Sequence, residues 1–580
     1  MKVFFKKGTF IALLVAVIAV GIFLRGYNFS DWIHFELDQA RDVLVISEAV
    51  DNGIGNLPLL GPRAAGTFLR LGPAFYYLEY ISAKIFGNTP FGVAFIILLF
   101  SILTLPLFYL VCRRYFNKWN SLGLLSIFSV SIFLIMYSRF AWNPNLIPFF
   151  VLLIFYSLLR VVDKEEKKRD LWMYIFAVSL AIATQLHFLV LLTIPVVSVV
   201  FLLVKRPRFS WKVWASSFLI VIFFYSPVII NEIKTGGDNA KEFAEAVSGK
   251  SQNEKYSVIE KAIRNYEENA IGSFLILSGV EKAEVVKVKT ALKVSNAFEF
   301  KCDKDCRKNL PWSITAFIVF SLGIVLLVVR LIKEKDVSRK NFLLFSFLWL
   351  IVSFIVFLPV AYDISPRFFL ITAPLPFIFL GLIFNFITKL TNKGKWIIIA
   401  IITALIVSNS LAIMTRFSQL KKAPLENVKI NPDRILKERA RVTLEQQQLI
   451  VSYISKIVEK NNYPVFLDSE SQHDRALKYI IRKEGMAASS VKTSKVYRNG
   501  NYFLVFRTSS NLEEEIAKYS IAYKVIEKKE FGTLIVFRLL PEEESITDVD
   551  WYFSEDDDND RSAPGVPERY NWNEIFSKPR

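Results

Sequence analysis

The sequence predicts a polytopic α-helical membrane protein of about eleven spans with a small α/β domain outside the membrane. Three observations lead to this fold class. The chain of 580 residues is 53% hydrophobic and only 21% charged, whereas soluble domains are about 45–50% apolar and about 25% charged. Its apolar residues are clustered in runs of about 20, the length that crosses a bilayer. Residues 416–545 instead alternate short strand-like and helix-like segments.

The spans follow from the apolar runs in chain order. The first, at 10–24, follows a basic N-terminus but no small-residue cleavage site, which indicates an uncleaved span. The stretch 171–204 is interpreted as a tight helical hairpin that turns near His187. This pattern excludes a soluble enzyme, a secreted disulfide scaffold and a disordered protein. The remaining spans are predicted at 92–112, 121–138, 145–162, 212–230, 312–332, 342–361, 368–390 and 395–414.

The basic residues predict the orientation of these spans. Loops rich in Lys and Arg fall on the side of the N-terminus, which the positive-inside rule makes cytoplasmic. We therefore predict a multi-pass protein of the plasma (inner) membrane with a cytoplasmic N-terminus. The net charge of +18 lies largely beside the spans, where it meets membrane lipids, so no nucleic-acid partner is expected. The cationic loops are 113–118, 164–169, 205–212, 333–340 and 389–395.

Three parts of the chain are distinguished. Residues 1–415 are predicted to form the membrane domain, with large outer loops at 26–91 and 231–311. An odd number of spans places the C-terminus outside, so residues 416–545 form an extracytoplasmic α/β domain. Residues 546–580 form an acidic tail that is expected to be mobile. The predicted order in the α/β domain is helix 440–460, strand 463–467, helix 472–484, strand 502–506, helix 511–519, and strands 521–528 and 532–539.

The first outer loop contains the segment HFELDQARD at 34–42. On a helix, Asp38 and Asp42 share a face, and Arg41 is close enough to pair with Asp38. One interpretation is a solvated interfacial helix with an internal ion pair. The other is a functional site, because separate outer loops bring further ionisable and polar residues to the same membrane face. These residues are Arg139, Asn143, His187 and Arg367, although either arginine could simply snorkel.

Six phrases in this order resemble the glycosyltransferase-C superfamily: FELDQARD, LPLLGP, LGPAFYYL, SRFAWNPN, TQLHF and SPRFFL. They are most similar to its branch of protein O-mannosyltransferases, aminoarabinose transferases and related bacterial cell-envelope glycosyltransferases. The resemblance covers residues 8–415. It implies transfer of a sugar, with inversion, from a polyprenyl-phosphate carrier to an acceptor on the outer face. The acceptor would be a glycan, a lipid or a protein.

The resemblance also implies roles for individual residues. Asp38 corresponds to the acidic residue that acts on the acceptor, and Arg367 to the arginine that holds the carrier phosphate. His187 and Arg139 are expected near that phosphate. The other residues predicted to line the acceptor and donor pocket are Glu36, Gln39, Arg41, Asp42, Tyr76, Trp142, Asn143 and Tyr362.

Two positions depart from the pattern of the superfamily. Gln39 stands where relatives often have a second acid, and Asn143 and Asn145 stand where some relatives have an acid after the third span. The second departure puts a metal-assisted mechanism in doubt, so no cofactor is expected, and a divalent metal stays open as an unsupported alternative.

The residue types suit the implied chemistry. An arginine stabilises the charge that grows on a leaving phosphate, and a carboxylate can take the proton of an acceptor hydroxyl. A one-step inverting displacement needs a single base and no covalent intermediate.

Two other functions remain open at this stage. One is a catalytically inactive relative that binds a lipid-linked glycan. The other is a polytopic transporter or flippase, although the sequence lacks the two related halves common in transporters. Cys302 and Cys306 either form a disulfide or remain free thiols, and Cys112 is expected to pack inside the bundle.

Overall fold

The fold is a bundle of long helices joined to a five-stranded α/β domain. The computed structural model describes residues 7–64, 66–248, 256–283, 287–290, 298–301, 304–431, 433–551 and 569–576. The helices are α1 (Lys7–Gly26), α2 (Leu37–Asn52), α3 (Ala74–Phe86), α4 (Pro90–Arg113), α5 (Lys118–Val130), α6 (Ile132–Met136), α7 (Ile147–Val162), α8 (Arg169–Leu186), α9 (Phe188–Lys205), α10 (Trp211–Thr235), α11 (Asp238–Ser248), α12 (Val258–Ser278), α13 (Lys304–Lys333), α14 (Val337–Phe357), α15 (Pro374–Leu390), α16 (Gly394–Lys422), α17 (Leu444–Asn461), α18 (Asp474–Lys483), α19 (Leu512–Ala517) and α20 (Trp572–Phe576). The strands are β1 (Lys287–Thr290), β2 (Phe298–Lys301), β3 (Val465–Ser469), β4 (Ala488–Ser489), β5 (Asn501–Arg507), β6 (Tyr523–Phe531) and β7 (Leu534–Pro541).

Each of the eleven predicted spans coincides with helix, and the polytopic membrane fold is confirmed. Within the described part of the chain, eight helical segments are both long and apolar enough to cross a membrane. The other three predicted spans fall short for local reasons. The span predicted at 121–138 is interrupted at Ser131. The span that corresponds to α8 begins with Arg169 and Asp170, and the span that corresponds to α15 has only 17 helical residues. The eight segments are Gly8–Gly26, Pro90–Arg113, Asn143–Val162, Phe188–Lys205, Trp211–Thr235, Arg307–Lys333, Val337–Val360 and Gly394–Lys422.

A polar contact between helices explains the interruption at Ser131. The Ser131 hydroxyl donates to the Ile276 carbonyl at 2.7 Å. The Asn409 side chain accepts from the Ile132 amide at 3.0 Å and donates to the Leu277 carbonyl at 2.8 Å. Backbone groups freed by a helix break inside a membrane must find such partners within the protein. The predicted span 121–138 is therefore two helices, α5 and α6, joined at a satisfied break.

Helix α12 places part of the predicted outer loop 231–311 inside the bundle. Its second half is buried and packs against α13, α15 and α16. The Asn265 side chain donates to the Phe354 carbonyl of α14 at 2.8 Å. Residues 258–278 therefore belong to the bundle rather than to a loop.

The cationic loops gather at one end of the bundle, called here the basic end. Arg114 lies 2.6 Å from Asp163 and 3.2 Å from Ser338, so three of these loops are in contact. The guanidinium of Arg169 lies 4.9 Å from the Phe209 ring, which adds a fourth loop. Helices α2 and α3 and the α/β domain lie at the opposite end.

The predicted α/β domain is confirmed, and its sheet is mixed with strand order β4-β3-β5-β7-β6; the short strand β4 was not predicted. Strand β3 is parallel to β4 and β5, whereas β7 is antiparallel to β5 and β6. Side chains alternate between its two faces. On one face, Leu467 and Phe503 join a core that continues into the helix bundle, while Phe466 and Tyr502 form a separate cluster on the other. Helix α16 runs to Lys422, past the predicted domain boundary at 415.

The end of the chain packs against the first outer loop. The Leu59 amide donates to the Tyr570 carbonyl at 2.8 Å, and the Trp572 indole donates to the Tyr77 hydroxyl at 2.9 Å. Residues 569–576 therefore differ from the predicted mobile tail, whereas 552–568 and 577–580 lie outside the described residues.

The cysteines are only partly described. Cys302 lies outside the described residues, so both alternatives for the pair at 302 and 306 stay open. Cys112 is a free, buried thiol, in agreement with its predicted packing role.

Candidate active site

Helix α2, which carries the candidate base Asp38, begins at a capping box. The Glu36 backbone amide donates to the Gln39 side chain at 3.2 Å, and the Glu36 side chain in turn receives the Gln39 amide. Ala40, Val43 and Ile46 are buried on the bundle side of the helix. Gln39 therefore caps α2, which gives a structural reason for a residue that departs from the family pattern.

Arg41 binds the two carboxylates of α2. Its guanidinium lies 2.9 Å from Asp38 Oδ1 and 2.7 Å from Asp42 Oδ1, so the Asp38–Arg41 pair predicted from the spacing is present. The Asp38 side chain is 39% exposed, whereas that of Asp42 is fully buried. Burial outweighs the neighbouring guanidinium and raises the pKa of Asp42 to about 6. Of the two acids, only Asp38 can meet a substrate.

Behind Asp42, helix α3 contributes a second buried acid. Glu79 is fully buried, and neither of its carboxyl oxygens has a hydrogen-bond partner in the described part of the chain. Burial and the nearby Asp42 raise the pKa of Glu79 well above its usual value, and burial raises that of Tyr76 to about 12. The sequence analysis named Tyr76 but missed Glu79, whose only signal is an acid within an apolar helix.

Arg367 lies in a 3₁₀ turn, Pro366–Leu370, across from α2. Its guanidinium lies 5.0 Å from the Trp142 ring centroid and 5.5 Å from that of Phe368. It forms no hydrogen bond or ion pair with any described residue. Burial lowers the pKa of Arg367, and the charge of Asp38 acts in the opposite direction. Asp38 and Arg367 therefore lie within electrostatic reach of each other.

His187 joins the same cluster at the start of α9. Its Nδ1 accepts the Leu189 amide at 3.2 Å, so Nε2, which has no hydrogen-bond partner among the described residues, can donate. The ring contacts Phe368 edge-on, with centroids 5.4 Å apart. The Asn143 amide donates to the Leu186 carbonyl and thereby ties the Trp142 turn to the end of α8. Four predicted site residues thus meet here: Arg367, His187, Trp142 and Asn143.

Arg139, predicted to contact the donor phosphate, has another role. It is 3% exposed and donates to the carbonyls of Arg25 at 2.9 Å, Tyr27 at 2.9 Å and Asn28 at 3.1 Å. Those carbonyls end α1 and need donors. Because these bonds occupy both of its terminal nitrogens, the structure assigns Arg139 to capping α1 rather than to binding phosphate.

Tyr362 also lies elsewhere than predicted. Its ring stacks on Tyr256 at 3.6 Å, and the Arg264 guanidinium lies 5.9 Å above it. It therefore packs against the start of α12 rather than against Asp38 or Arg367.

A buried charge network behind α2 was missed entirely. His34 Nδ1 lies 3.1 Å from Glu438 Oε1, and Glu438 in turn pairs with Arg416 at 3.2 Å and with Arg441. Four hundred and four residues separate His34 from Glu438, so no local pattern could have revealed the contact. Within the described part of the chain, no three His, Cys, Asp or Glu side chains converge as metal ligands.

A helix bundle with a folded first outer loop and an α/β domain at the same end is the architecture of the glycosyltransferase-C type. Comparisons with known proteins confirm this class. Residues 71–230 match the family described as dolichyl-phosphate-mannose-protein mannosyltransferase. The predicted resemblance and the predicted enzyme class, a membrane glycosyltransferase, are thereby confirmed.

Solved structures have a similar fold over about nine-tenths of the chain. ArnT from Cupriavidus metallidurans in the apo state has a TM-score of 0.51 at 12% identity, over 91% of this chain and 97% of that one. ArnT bound to undecaprenyl phosphate has a TM-score of 0.52 at 11% identity, over 92% and 98%. The Archaeoglobus fulgidus oligosaccharyltransferase in the apo form has a TM-score of 0.50 at 13% identity, over 89% and 71%. At these identities the likeness shows the fold, and no curated protein matches the sequence.

Proposed function

We propose that this chain transfers a sugar from a polyprenyl-phosphate-linked donor to an acceptor hydroxyl, with inversion of the anomeric carbon. The observation that carries the proposal is that an accessible carboxylate, Asp38, lies within electrostatic reach of Arg367, whose guanidinium has no ion pair with a described residue. A base and a phosphate-binding cation within electrostatic reach are what such a displacement requires.

The donor class follows from the relatives. The matching family is described by a dolichyl-phosphate-linked mannose donor, and one ArnT structure contains undecaprenyl phosphate. We extend a lipid-phosphate donor to this chain because Arg367 is stacked on Trp142 and has no carboxylate partner among the residues that the structure describes. His187 lies beside it, where its remaining N–H donates to a phosphate oxygen.

The reaction is a single displacement. Arg41 engages only Oδ1 of Asp38, which leaves Oδ2 to accept the proton of the acceptor hydroxyl. The acceptor oxygen forms a bond to the anomeric carbon as the bond from that carbon to the phosphate oxygen breaks. Arg367 stabilises the charge that the leaving polyprenyl phosphate acquires. The products are the glycosylated acceptor and polyprenyl phosphate.

We also propose that this site faces away from the cytoplasm in the plasma membrane. The basic end gathers the loops that carry Lys and Arg, and such loops stay cytoplasmic. The site and the α/β domain lie at the opposite end. A donor would thus keep its polyprenyl tail in the bilayer while its sugar enters from the outer leaflet.

The role of Asp38 can be tested by separating donor binding from transfer. Wild type, Asp38→Asn and the control Asp51→Asn would be reconstituted in liposomes with a panel of polyprenyl-phosphate sugars. Asp51 lies on the same helix but contacts Asn88 and is exposed. Since a general base contributes about 10²- to 10⁴-fold, Asp38→Asn should lose transfer by at least about 100-fold and keep donor binding.

The other outcomes distinguish the competing functions. Undiminished transfer by Asp38→Asn would remove Asp38 as the base. Donor binding by wild type without turnover of any donor would favour an inactive glycan-binding relative. Neither binding nor turnover would favour a transporter or flippase.

A further inference from the structure

A small polar cavity lies where the first outer loop meets the α/β domain, and it is called here the junction cavity. Its volume of about 70 Å³ gives room for a few water molecules or one small polar group. It lies in a part of the molecule that the reaction proposed above does not use. Its polar lining comprises His34, Glu36, Lys437, Arg439, His473 and Arg507, together with Glu438 and Gln472.

The acidic groups of the junction cavity are already compensated. Glu438 pairs with His34, Arg416 and Arg441. Glu36 lies 3.6 Å from His34. Among the lysines and arginines of the lining, Arg507 is paired with the Glu470 carboxylate of the α/β domain 2.5 Å away.

Two cations at the cavity form no direct ion pair, although the carboxylate of Glu268 lies close enough to Lys437 to interact with it electrostatically. Lys437 and Arg439 are exposed, and neither forms an ion pair or a hydrogen bond with a described residue. Both lie on the segment between α16 and α17, which the buried Glu438 anchors to His34. The cavity therefore presents a surplus of positive charge on a fixed segment.

A buried ring nitrogen gives an independent indication of a ligand. His473 is 2% exposed and lines the cavity, yet its Nδ1 has no hydrogen-bond partner in the described part of the chain. Buried polar atoms in folded proteins are almost always paired, and an unpaired one commonly marks a missing ion, water or ligand. Together with the two cations, it supplies a third position for binding an oxygen ligand.

We infer that the junction cavity binds a phosphate or carboxylate group carried by the acceptor. The cavity reaches the catalytic residue through Glu36, two positions before Asp38, so their Cα atoms are at most about 7 Å apart. Arg367 stands apart, stacked on Trp142, and holds the donor phosphate. The acceptor is therefore an anionic saccharide whose charged group lies a short distance from the hydroxyl that receives the sugar.

Assigning the anion to the acceptor rests on the proposed function, but the anion site itself can be tested by binding alone. The probe is inorganic phosphate, detected by ³¹P line broadening on the full chain in nanodiscs of zwitterionic lipid. All samples carry Arg367→Gln, so that the donor site does not contribute. The test variant adds Lys437→Gln and Arg439→Gln. The matched control adds Lys518→Gln and Lys528→Gln, which removes the same charge from the far side of the α/β domain.

We expect phosphate to bind the parent and the control alike, and the test variant at least about tenfold more weakly, because two charge-assisted bonds are lost. Equal binding by the test variant, or no binding by the parent, would overturn the inference.

A kinetic measurement on the chain that keeps Arg367 distinguishes a failure of the anion-site inference from a failure of the proposed function. If transfer is found, Lys437→Gln with Arg439→Gln should raise the acceptor KM while leaving kcat and donor affinity unchanged. If phosphate binding depends on Lys437 but the protein has no transferase activity, the anion site stands and its assignment to the acceptor is wrong. An unchanged KM in an active enzyme would contradict the assignment to the acceptor.

Discussion

At the residue scale, two acids on one face of α2 have opposite environments. Asp38 and Asp42 both bind Arg41, yet one side chain is 39% exposed and the other is fully buried. Desolvation favours the protonated form of Asp42. The spacing of four residues predicted their shared face and could not show which of the two meets a substrate.

Two arginines given the same role by the sequence should respond differently to substitution. Arg139 binds three carbonyls at the end of α1, whereas Arg367 has no protein hydrogen bond in the described structure. Arg139→Gln should lower the free energy of unfolding by about 2–4 kcal/mol, because buried carbonyls lose their donor. Arg367→Gln should lower transfer by about 100-fold and leave the free energy of unfolding within about 0.5 kcal/mol.

Denaturant unfolding in detergent and the liposome transfer assay, run on both variants, would check this contrast. A stable Arg139→Gln protein that no longer binds donor would restore the phosphate role that the sequence suggested.

At the scale of elements, α2 is held from behind by the charge network of the α/β connection. His34 lies between Glu438 and Glu36, and Glu36 caps α2 two residues before Asp38. A helix whose first turn carries the base needs such an anchor, since residues in a first turn fray most readily. The network therefore links the α/β domain to the geometry of the site.

Because of this network, the free energy of unfolding is expected to fall at alkaline pH. Burial alone would lower the pKa of His34, but the carboxylates of Glu36 and Glu438, with Asp433 behind them, raise it to about 9. Because the folded pKa exceeds the unfolded value of about 6.5, the stabilisation is complete below that value and is lost as the pH rises through about 9. Wild type should lose about 2–3 kcal/mol of unfolding free energy between pH 7 and pH 10 relative to His34→Gln.

Unfolding of both proteins across that range gives the measurement. His473→Gln serves as the control, since burial lowers the pKa of His473 instead. If the free energy of unfolding changes with pH in the same way for wild type and His34→Gln, protonation of His34 does not contribute to stability.

At the scale of the whole molecule, hydrophobic runs and basic loops predicted the arrangement of the helices. A long apolar run in a bilayer satisfies its backbone hydrogen bonds by forming a helix, so the positions of the helices could be predicted from the sequence. The strands of the α/β domain were predicted because their apolar residues alternate and Gly532 marks the last turn. Both signals are local.

What could not be predicted depends on distant contacts. The break at Ser131 is satisfied by Asn409, and the burial of α12 places polar residues such as Asn269 inside the bundle. Glu438, the partner of His34, lies 404 residues further along the chain. Arg139 and Arg367 look alike in sequence because a snorkelling, capping or phosphate-binding arginine has the same local pattern.

The measurement that tests the central claim most directly is the anomeric configuration of the product. Wild-type protein in liposomes would receive the polyprenyl-phosphate sugar that it turns over, and the product would be analysed by NMR. A displacement with one accessible base, Asp38, and a buried second acid, Asp42, predicts a product of inverted configuration. A product with retained configuration would require a protein nucleophile, and the absence of any sugar transfer would contradict the proposed function itself.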